Sequence, residues 1–350
     1  MTAIADLQDR VRAAVAAQQL LCIVGGNSKR YLGGEQQGDP IDMSAWSGVV
    51  DYQPSELVIT VRAGTTISEL QQVLARENQV LASEPPEFDG KATVGGTLAC
   101  NLSGPSRPWH GSIRDHVLGV RIINGKGEHL RFGGQVMKNV AGYDVSRLQA
   151  GAMGTLGILT EVTLKVVPRP EATTTVRRTI GASDALRVMN QICRKPLPVS
   201  GACWYGGDMY VRLAGPSSVI AAAAGEIEGN ILPDDGFWSR LREMDLPFFA
   251  DANDLWCISL RSTHDHFRQE EDWLIDWRGA RRWLAASCDR DTLVEQTGEA
   301  GGELWQLRGA EKGADVFPER SEAYRKMLLR LKRALDPAGV FNPGRLYSWL

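Results

Sequence analysis

The sequence predicts an α+β protein of two domains, a glycine-rich first domain followed by a smaller mixed α+β cap. Three observations carry the prediction. At 350 residues the chain exceeds the usual single-core limit. Its first 160 residues hold three glycine loops, each at the end or start of an apolar segment. Past Pro168 and Pro170 the loops thin out, and seven of the ten tryptophans fall between Trp204 and Trp305. The expected organisation is therefore a first domain over 1–170, a cap over 171–318, and a C-terminal helix and return segment over 319–350.

Each element follows from local pattern. Residues 6–19 have amphipathic helical spacing, and the apolar run Leu20-Leu21-Cys22-Ile23-Val24 stops at Gly25-Gly26, which reads as a strand and then a glycine loop. A second strand, Leu57 to Arg62, leads through Gly64 to a helix opened by the capping-box pattern Thr66-x-x-Glu69 and ending near Asn78. Asn124-Gly125-Lys126-Gly127 between apolar runs is a hairpin signal. From Ile158 to Val167 the pattern alternates, with Ile158, Val162, Leu164 and Val166 on one face. In the cap, helical patterns at 184–194 and 216–228 flank a hairpin at 203–213, with further strands near 255–261 and 272–285. A helix from Glu319 to Leu335 precedes a tail of turn formers, Asp336-Pro337-Ala338-Gly339-Val340-Phe341-Asn342-Pro343-Gly344-Arg345.

Composition narrows the class. An apolar fraction of 43% and a charged fraction of 23% are those of an ordinary folded protein, and a net charge of −3 supplies no field that would gather nucleic acid. Met1 to Leu20 contains no apolar run long enough for a signal peptide or a membrane span, so a cytoplasmic location is expected. The six cysteines, Cys22, Cys100, Cys193, Cys203, Cys257 and Cys288, form no C-x-x-C pair. They are read as reduced thiols, with neither a zinc ribbon nor an iron-sulfur cassette among them and no metal site expected.

The glycine loops carry the chemistry. They are Gly25-Gly26-Asn27-Ser28-Lys29, then Thr93-Val94-Gly95-Gly96-Thr97-x-x-x-Asn101, then Gly151-x-x-Gly154-Thr155-x-Gly157. A pyrophosphate needs backbone N–H groups at close range, and glycine allows that approach without a Cβ. Taken singly, each loop is as well explained as a turn; three together describe a long dinucleotide cradle. None matches the nicotinamide fingerprint or the Walker pattern, which disfavours a nicotinamide-dependent dehydrogenase and a nucleotide kinase.

The segment Ala92-Thr93-Val94-Gly95-Gly96-Thr97-Leu98-Ala99-Cys100-Asn101-Leu102-Ser103-Gly104, with His110-Gly111-Ser112-x-Arg114-Asp115, resembles the second flavin-binding segment of the vanillyl-alcohol-oxidase superfamily. Gly154-Thr155-Leu156-Gly157-Ile158 through Lys165 resembles its closing strand. Gly26-Asn27-Ser28-Lys29, Lys138-Asn139-Val140-Ala141-Gly142-Tyr143-Asp144 and Phe341-Asn342-Pro343-Gly344-Arg345 together resemble the FAD-binding E subunits of bacterial glycolate oxidases. The resemblance implies a two-subdomain PCMH-type FAD-binding domain before the cap. It implies FAD contacts from Gly25, Gly26, Asn27, Ser28, Lys29, Thr93, Gly95, Gly96, Thr97, Asn101, Gly104, Gly111, Gly157 and Ile158. For Lys29, a place beside the phosphates and a place on a solvated loop both remain open. Members that attach FAD covalently often carry His in the first loop; residues 24–34 contain none, so dissociable, non-covalent FAD is expected.

Oxidation of a 2-hydroxy acid needs a base, a cation for the carboxylate and a flavin that accepts hydride. Catalytic relatives resembling this chain take the base from paired cap histidines in an H-x6-H arrangement. This cap has only His264 and His266, in the polar run Ser262-Thr263-His264-Asp265-His266, which reads as a surface loop. His110 is read as either facing the flavin or packing with Trp109 beneath the cap, and Arg107, Arg114 and Arg308 as carboxylate binders or ion-pair partners. No catalytic set is assigned. The resemblance further implies a larger paralogous FAD subunit and an iron-sulfur subunit as partners, with glycolate oxidised to glyoxylate by the assembly and attachment to the inner membrane face, if any, through those partners. Two alternatives stand beside it: a free-standing FAD dehydrogenase for a 2-hydroxy acid or alcohol, and a structural subunit without redox activity.

Overall fold

The computed structural model describes residues 4–134, 144–233, 236–266, 272–309 and 317–350. The chain divides into two compact units, one comprising Met1–Ser103, Ser112–Pro168 and Gly313–Leu350, the other Gly104–Gly111 and Arg169–Lys312. The C-terminal segment therefore belongs to the first unit, and a short piece of the second flavin-type segment belongs to the second.

In the first unit the strands run Leu21–Val24 (β1), Asp39–Asp42 (β2), Val49–Gln53 (β3), Val58–Arg62 (β4), Gln79–Val80 (β5), Val117–Ile123 (β6), His129–Gly133 (β7), Ile158–Lys165 (β8) and Val167–Pro168 (β9). β1 and β2 pair in parallel, and the tail bonds alongside β1, with the Leu21 N–H donating to the Val340 carbonyl at 2.8 Å. The larger sheet has the order β3-β4-β8-β6-β7, antiparallel throughout. Ile158, Val162, Leu164 and Val166 are all fully buried, but not on one face as the alternation predicts: the register shifts between Leu159 and Glu161, so Leu159 joins Val162, Leu164 and Val166 in the core of this sheet while Ile158 packs with Leu21 and Phe341.

The helix Ile67–Arg76 covers this sheet with Ile67, Leu70 and Leu74, joined by Val94 and Leu98 of the helix Val94–Cys100. Its start is fixed by both bonds of the capping box: the Thr66 hydroxyl accepts from the Glu69 N–H at 3.1 Å, and the Glu69 carboxylate accepts from the Thr66 N–H at 2.8 Å. The β6–β7 turn uses the Asn124 side-chain oxygen to accept from the N–H groups of Lys126 and Glu128 at 3.0 and 2.9 Å. A second core packs Leu7, Val11 and Ala14 of the helix Ile4–Ala17 against Leu21, Ile41 and Phe341.

In the second unit the strands are Ala172–Thr179 (β10), Val199–Tyr205 (β11), Asp208–Gly215 (β12), Asn230–Leu232 (β13), Leu255–Ser259 (β14), Trp273–Asp276 (β15), Arg281–Leu284 (β16) and Glu303–Arg308 (β17). They form one antiparallel sheet of order β13-β10-β12-β11-β15-β16-β14-β17. The helices Ala182–Ile192 and Ser217–Ala224 bury their apolar faces with residues of β10, β11 and β12. The stretch 272–285 folds as two strands, turned at Trp277–Gly279, where the left-handed Trp277 is held by the Asp276 carboxylate, which accepts from its N–H at 2.7 Å.

Candidate cofactor site

A cleft with about 750 Å³ of empty space, part of it open to solvent, lies in the first unit. Gly25, Gly26, Asn27, Ser28, Lys29, Thr93, Gly95, Gly96 and Gly157 all line it, so segments far apart in the sequence meet at one place. β1 ends at Val24 and the chain turns at once through Gly25 and Gly26. A Cβ on Gly25 would overlap the Thr93 hydroxyl, and one on Gly26 would overlap the Lys91 carbonyl. These glycines are thus required by the close approach of the protein chain to itself. Among the described residues, the N–H groups of Gly25, Gly26, Asn27 and Ser28 donate to no protein acceptor, which leaves them for water or a ligand.

The Thr93 loop differs. Thr93 caps the helix Val94–Cys100 by accepting from the Gly96 N–H at 3.2 Å. The Val94 and Gly95 N–H groups donate to the carbonyls of Thr65 and Ala63, each at 2.8 Å. The first turn of this helix is therefore satisfied internally, and what it offers the cleft is a surface without side chains at Gly95 and Gly96.

The cleft is cationic. Lys29 is only 7% exposed; its ammonium donates to the Ser28 hydroxyl at 3.1 Å and lies 5.5 Å from the centre of the Phe88 ring. Lys29 is therefore buried in the cleft and not on a solvated loop. Arg30 and Arg345 also line the cleft, and Arg345 is 6% exposed. Burial holds the Arg345 guanidinium below the usual arginine range. Burial pushes up the thiols of Cys22 and Cys100, against the opposing pull of Arg345 on the first and of Lys29 on the second. Both thiols therefore remain neutral neighbours of the cations at pH 7.

The tail closes the site. The Asn342 side-chain oxygen accepts from the Ile23 N–H at 2.7 Å, and its amide donates to the Met153 carbonyl at 2.6 Å, tying β1 to the third glycine loop. Gly154, with φ of +74°, allows this, because a Cβ there would stand against the Asn342 amide. Behind it, the buried Lys332 ammonium pairs with Asp336 at 2.8 Å and donates to the carbonyls of Thr155 and Phe341, each at 2.8 Å. Asp336 in turn accepts from the N–H groups of Val340 at 3.2 Å and Phe341 at 2.9 Å. Asn342 and Arg345 line the cleft and were not among the residues expected there. The run Phe341-Asn342-Pro343-Gly344-Arg345 was a motif in the sequence, but nothing local pointed it at β1.

The remaining expected residues lie apart from the lining. Thr97 is fully buried and its hydroxyl has no partner among the described residues. Asn101 ends the Val94–Cys100 helix in a left-handed conformation with φ of 52°, its side-chain oxygen also unpartnered among the described residues. Ile158 is core, packed with Leu21 and Phe341. Gly104 and Gly111 belong to the second unit, where the Gly104 carbonyl accepts from the Trp277 indole at 2.9 Å. Residues 138–143 of the Lys138-to-Asp144 motif lie outside the described residues.

The polar candidates for substrate chemistry are dispersed. His110 is exposed in the second unit, and His264 has a ring nitrogen 2.9 Å from the Asp265 carbonyl. His266 packs edge-on against Trp273 at 5.0 Å, and burial lowers its pKa from 6.5 to about 4. Arg308 donates to the carbonyls of Phe249 and Ala252, Arg107 lies over the Trp277 ring at 4.4 Å, and Arg114 is exposed. Among the described residues no base stands beside a carboxylate-binding cation in the cleft of the first unit.

Known proteins bear on this geometry. Residues 1–133 match the FAD binding domain family. Over 344 residues the chain is 43% identical to glycolate oxidase subunit GlcE of Escherichia coli (strain K12), covering 98% of this chain and 97% of that protein. The chain belongs to the family of glycolate oxidase E subunits. It is thus an FAD-dependent oxidoreductase subunit, and its cofactor is FAD. Two wider relatives match over shorter stretches. Glycolate oxidase subunit GlcD of Bacillus subtilis (strain 168) is 36% identical over 129 residues, 37% of this chain and 27% of that protein. A D-lactate dehydrogenase of Anaerostipes hadrus is 33% identical over 135 residues, 39% of this chain and 28% of that protein. Among solved structures, an alkyldihydroxyacetonephosphate synthase superposes with a TM-score of 0.70 at 16% identity, covering 98% of this chain and 76% of that one. The fold is therefore the PCMH-type FAD-binding domain with a mixed α+β cap.

Proposed function

We propose that this chain is the accessory FAD subunit of a complex that oxidises glycolate, a 2-hydroxy acid, to glyoxylate. Its FAD is held non-covalently in the cleft at Gly25 to Lys29, Thr93, Gly95, Gly96 and Gly157, and its electrons pass to partner subunits, among them a larger FAD paralogue and an iron-sulfur protein. The observation that carries this reading is a pairing of features: a cationic cleft with four N–H groups left for a ligand, and no base and carboxylate anchor assembled beside it among the described residues. A dinucleotide suits the first feature, because its pyrophosphate accepts from backbone N–H groups and its charge answers the cations. The second is in keeping with hydroxy-acid chemistry carried out in a partner. FAD supplies the two-electron acceptor when bound; the chain supplies the loop and the cationic cleft that would hold it.

Two facts support the partner dependence: the chain carries no cluster-type cysteine spacing, and the E subunit it is 43% identical to is named as a subunit of glycolate oxidase. Among the described residues no helix is long and apolar enough to cross a membrane.

The test is the visible spectrum of the purified chain before and after anaerobic addition of glycolate. Flavin that stays oxidised alone and bleaches once the partner subunits are added supports the reading. Bleaching in the isolated chain places the substrate site here and overturns the accessory role.

A further inference from the structure

The side chain of Arg345 is the observation that the proposed function leaves unexplained. Its residue is 6% exposed and lines the cleft, yet among the described residues no carboxylate pairs with it. Its guanidinium donates to the Gly34 carbonyl, and the Gly34 N–H returns a bond to the Arg345 carbonyl at 3.0 Å, so the side chain is fixed in place. The ionisable groups around it are Cys22 and Cys100, both held neutral by burial, and Arg30, which has the same sign. A buried cation without a counter-charge is costly, and a fold keeps one where an anion completes it. The open side of this cation is the cleft.

We infer that Arg345 is the counter-charge for the diphosphate of FAD, so that the C-terminal segment, together with the Gly25 to Lys29 loop, forms the anion-binding part of the cofactor site. The alternatives within the same cleft are the uncharged isoalloxazine and the adenine, neither of which neutralises a guanidinium. Lys29 reaches the cleft from the opposite end of the chain, with its ammonium 4.0 Å from where a Gly96 Cβ would stand. The two cations come from residues 29 and 345, and β1 lies next to the tail that carries the second. Cofactor binding and closure of the tail are therefore coupled: the anion removes a charge penalty that the apoprotein carries.

The inference rests on FAD as the ligand of this cleft, and the binding of FAD itself to the wild-type apoprotein tests that separately. The decisive measurement is equilibrium binding of FAD, ADP and riboflavin to apoprotein of the wild type, Arg345→Met and Arg345→Lys. ADP carries the diphosphate without the flavin, and riboflavin the flavin without the diphosphate. Arg345→Met is expected to weaken FAD and ADP by about ten- to hundredfold, the range for a lost hydrogen bond to a charged group, and to leave riboflavin unchanged. Arg345→Lys is expected to recover part of the ADP affinity. Loss of riboflavin binding with ADP unaffected, or an equal loss of all three, overturns the assignment. So does wild-type protein that binds no FAD, which also removes the reading beneath it. Should Arg345→Met fail to fold, the wild type still decides: ADP and inorganic pyrophosphate must each raise the melting temperature of the apoprotein, with an effect that falls as salt rises. A salt-independent effect, or none, refutes the proposal.

Discussion

Replacing Lys332 by Met tests what holds the first unit closed. The Lys332 side chain is 8% exposed and that of Asp336 is fully buried, with 2.8 Å between the charges. Methionine fills a similar volume, so the loss is electrostatic and not a cavity. It strands the Asp336 carboxylate in the core with only the Val340 and Phe341 N–H groups to solvate it, and it deprives the carbonyls of Thr155 and Phe341 of a donor. Removing one partner of a buried pair costs about 3–5 kcal/mol, and the two carbonyls place this case toward the upper end, at about 1 kcal/mol each. The assay is urea unfolding followed by circular dichroism, with amide exchange read at Leu21 to Val24 and at Val340 to Asn342. Exchange should accelerate in both segments together. The double variant Lys332→Met/Asp336→Leu sharpens the test. An ordinary buried ion pair replaced by apolar residues returns most of the stability, whereas here the backbone groups of Thr155, Val340 and Phe341 remain unpartnered and the double variant should stay well below wild type. Full recovery in the double variant would refute the anchoring role.

Four further outcomes are expected. Gly26→Ala drives a Cβ into the Lys91 carbonyl, and since both partners are backbone the loop must move; we expect loss of FAD retention during gel filtration, and unchanged retention would contradict the packing described. Asn342→Ala removes the bonds to Ile23 and Met153 and should cost about 2–3 kcal/mol in thermal unfolding, a loss that Asn342→Asp should not repair because a carboxylate cannot donate to the Met153 carbonyl. For His266, burial lowers the folded pKa from 6.5 to about 4; between those values the unfolded chain takes up the proton first, so the second unit loses stability as the pH falls through that window. His266→Gln should flatten the dependence of the urea midpoint between pH 7 and pH 4.5, and an identical slope in the variant would exclude this group. Acid precipitation should leave all flavin absorbance in the supernatant, whereas colour that stays with the pellet would show a covalent bond.

Much of the fold was legible because its signals are local. Thr66 and Glu69 are three residues apart and make both capping bonds, and the Asn124 turn is fixed within five residues. The strand at Ile158 to Val166 was legible as a strand, but not its faces: both are buried, and a register shift puts Ile158 in a different core from Val162, Leu164 and Val166. What escaped reading depends on distance or on context. The turn at Trp277 and Arg278 places two non-glycine residues at φ of 52° and 51°, where no composition rule puts a turn; the Asp276 carboxylate and the surrounding sheet impose it. At the candidate site, the residues of the glycine loops could be named, but the reason for the glycines was partly misjudged. Gly25 and Gly26 accommodate Thr93 and Lys91, so their presence reports chain packing as well as ligand approach. Asn342 and Arg345 could not be placed in the cleft at all, since the partner of Asn342 on β1 is 319 residues away.

That separation bears on how the protein is made. β1 leaves the ribosome well before the tail, yet the N–H groups of Leu21 and Ile23 find their acceptors only at Val340 and Asn342. At about 5–20 residues per second, the 319 residues between Ile23 and Asn342 impose a wait of roughly 15–60 s during which that edge is open. The second unit, its short Gly104–Gly111 piece included, is encoded wholly inside this interval and can order first. An unpaired strand edge held open that long is a point of attachment for other chains, so the nascent protein is most exposed to misassembly just before Val340 to Asn342 arrive, and a late-acting chaperone or an early partner subunit would have the greatest effect there.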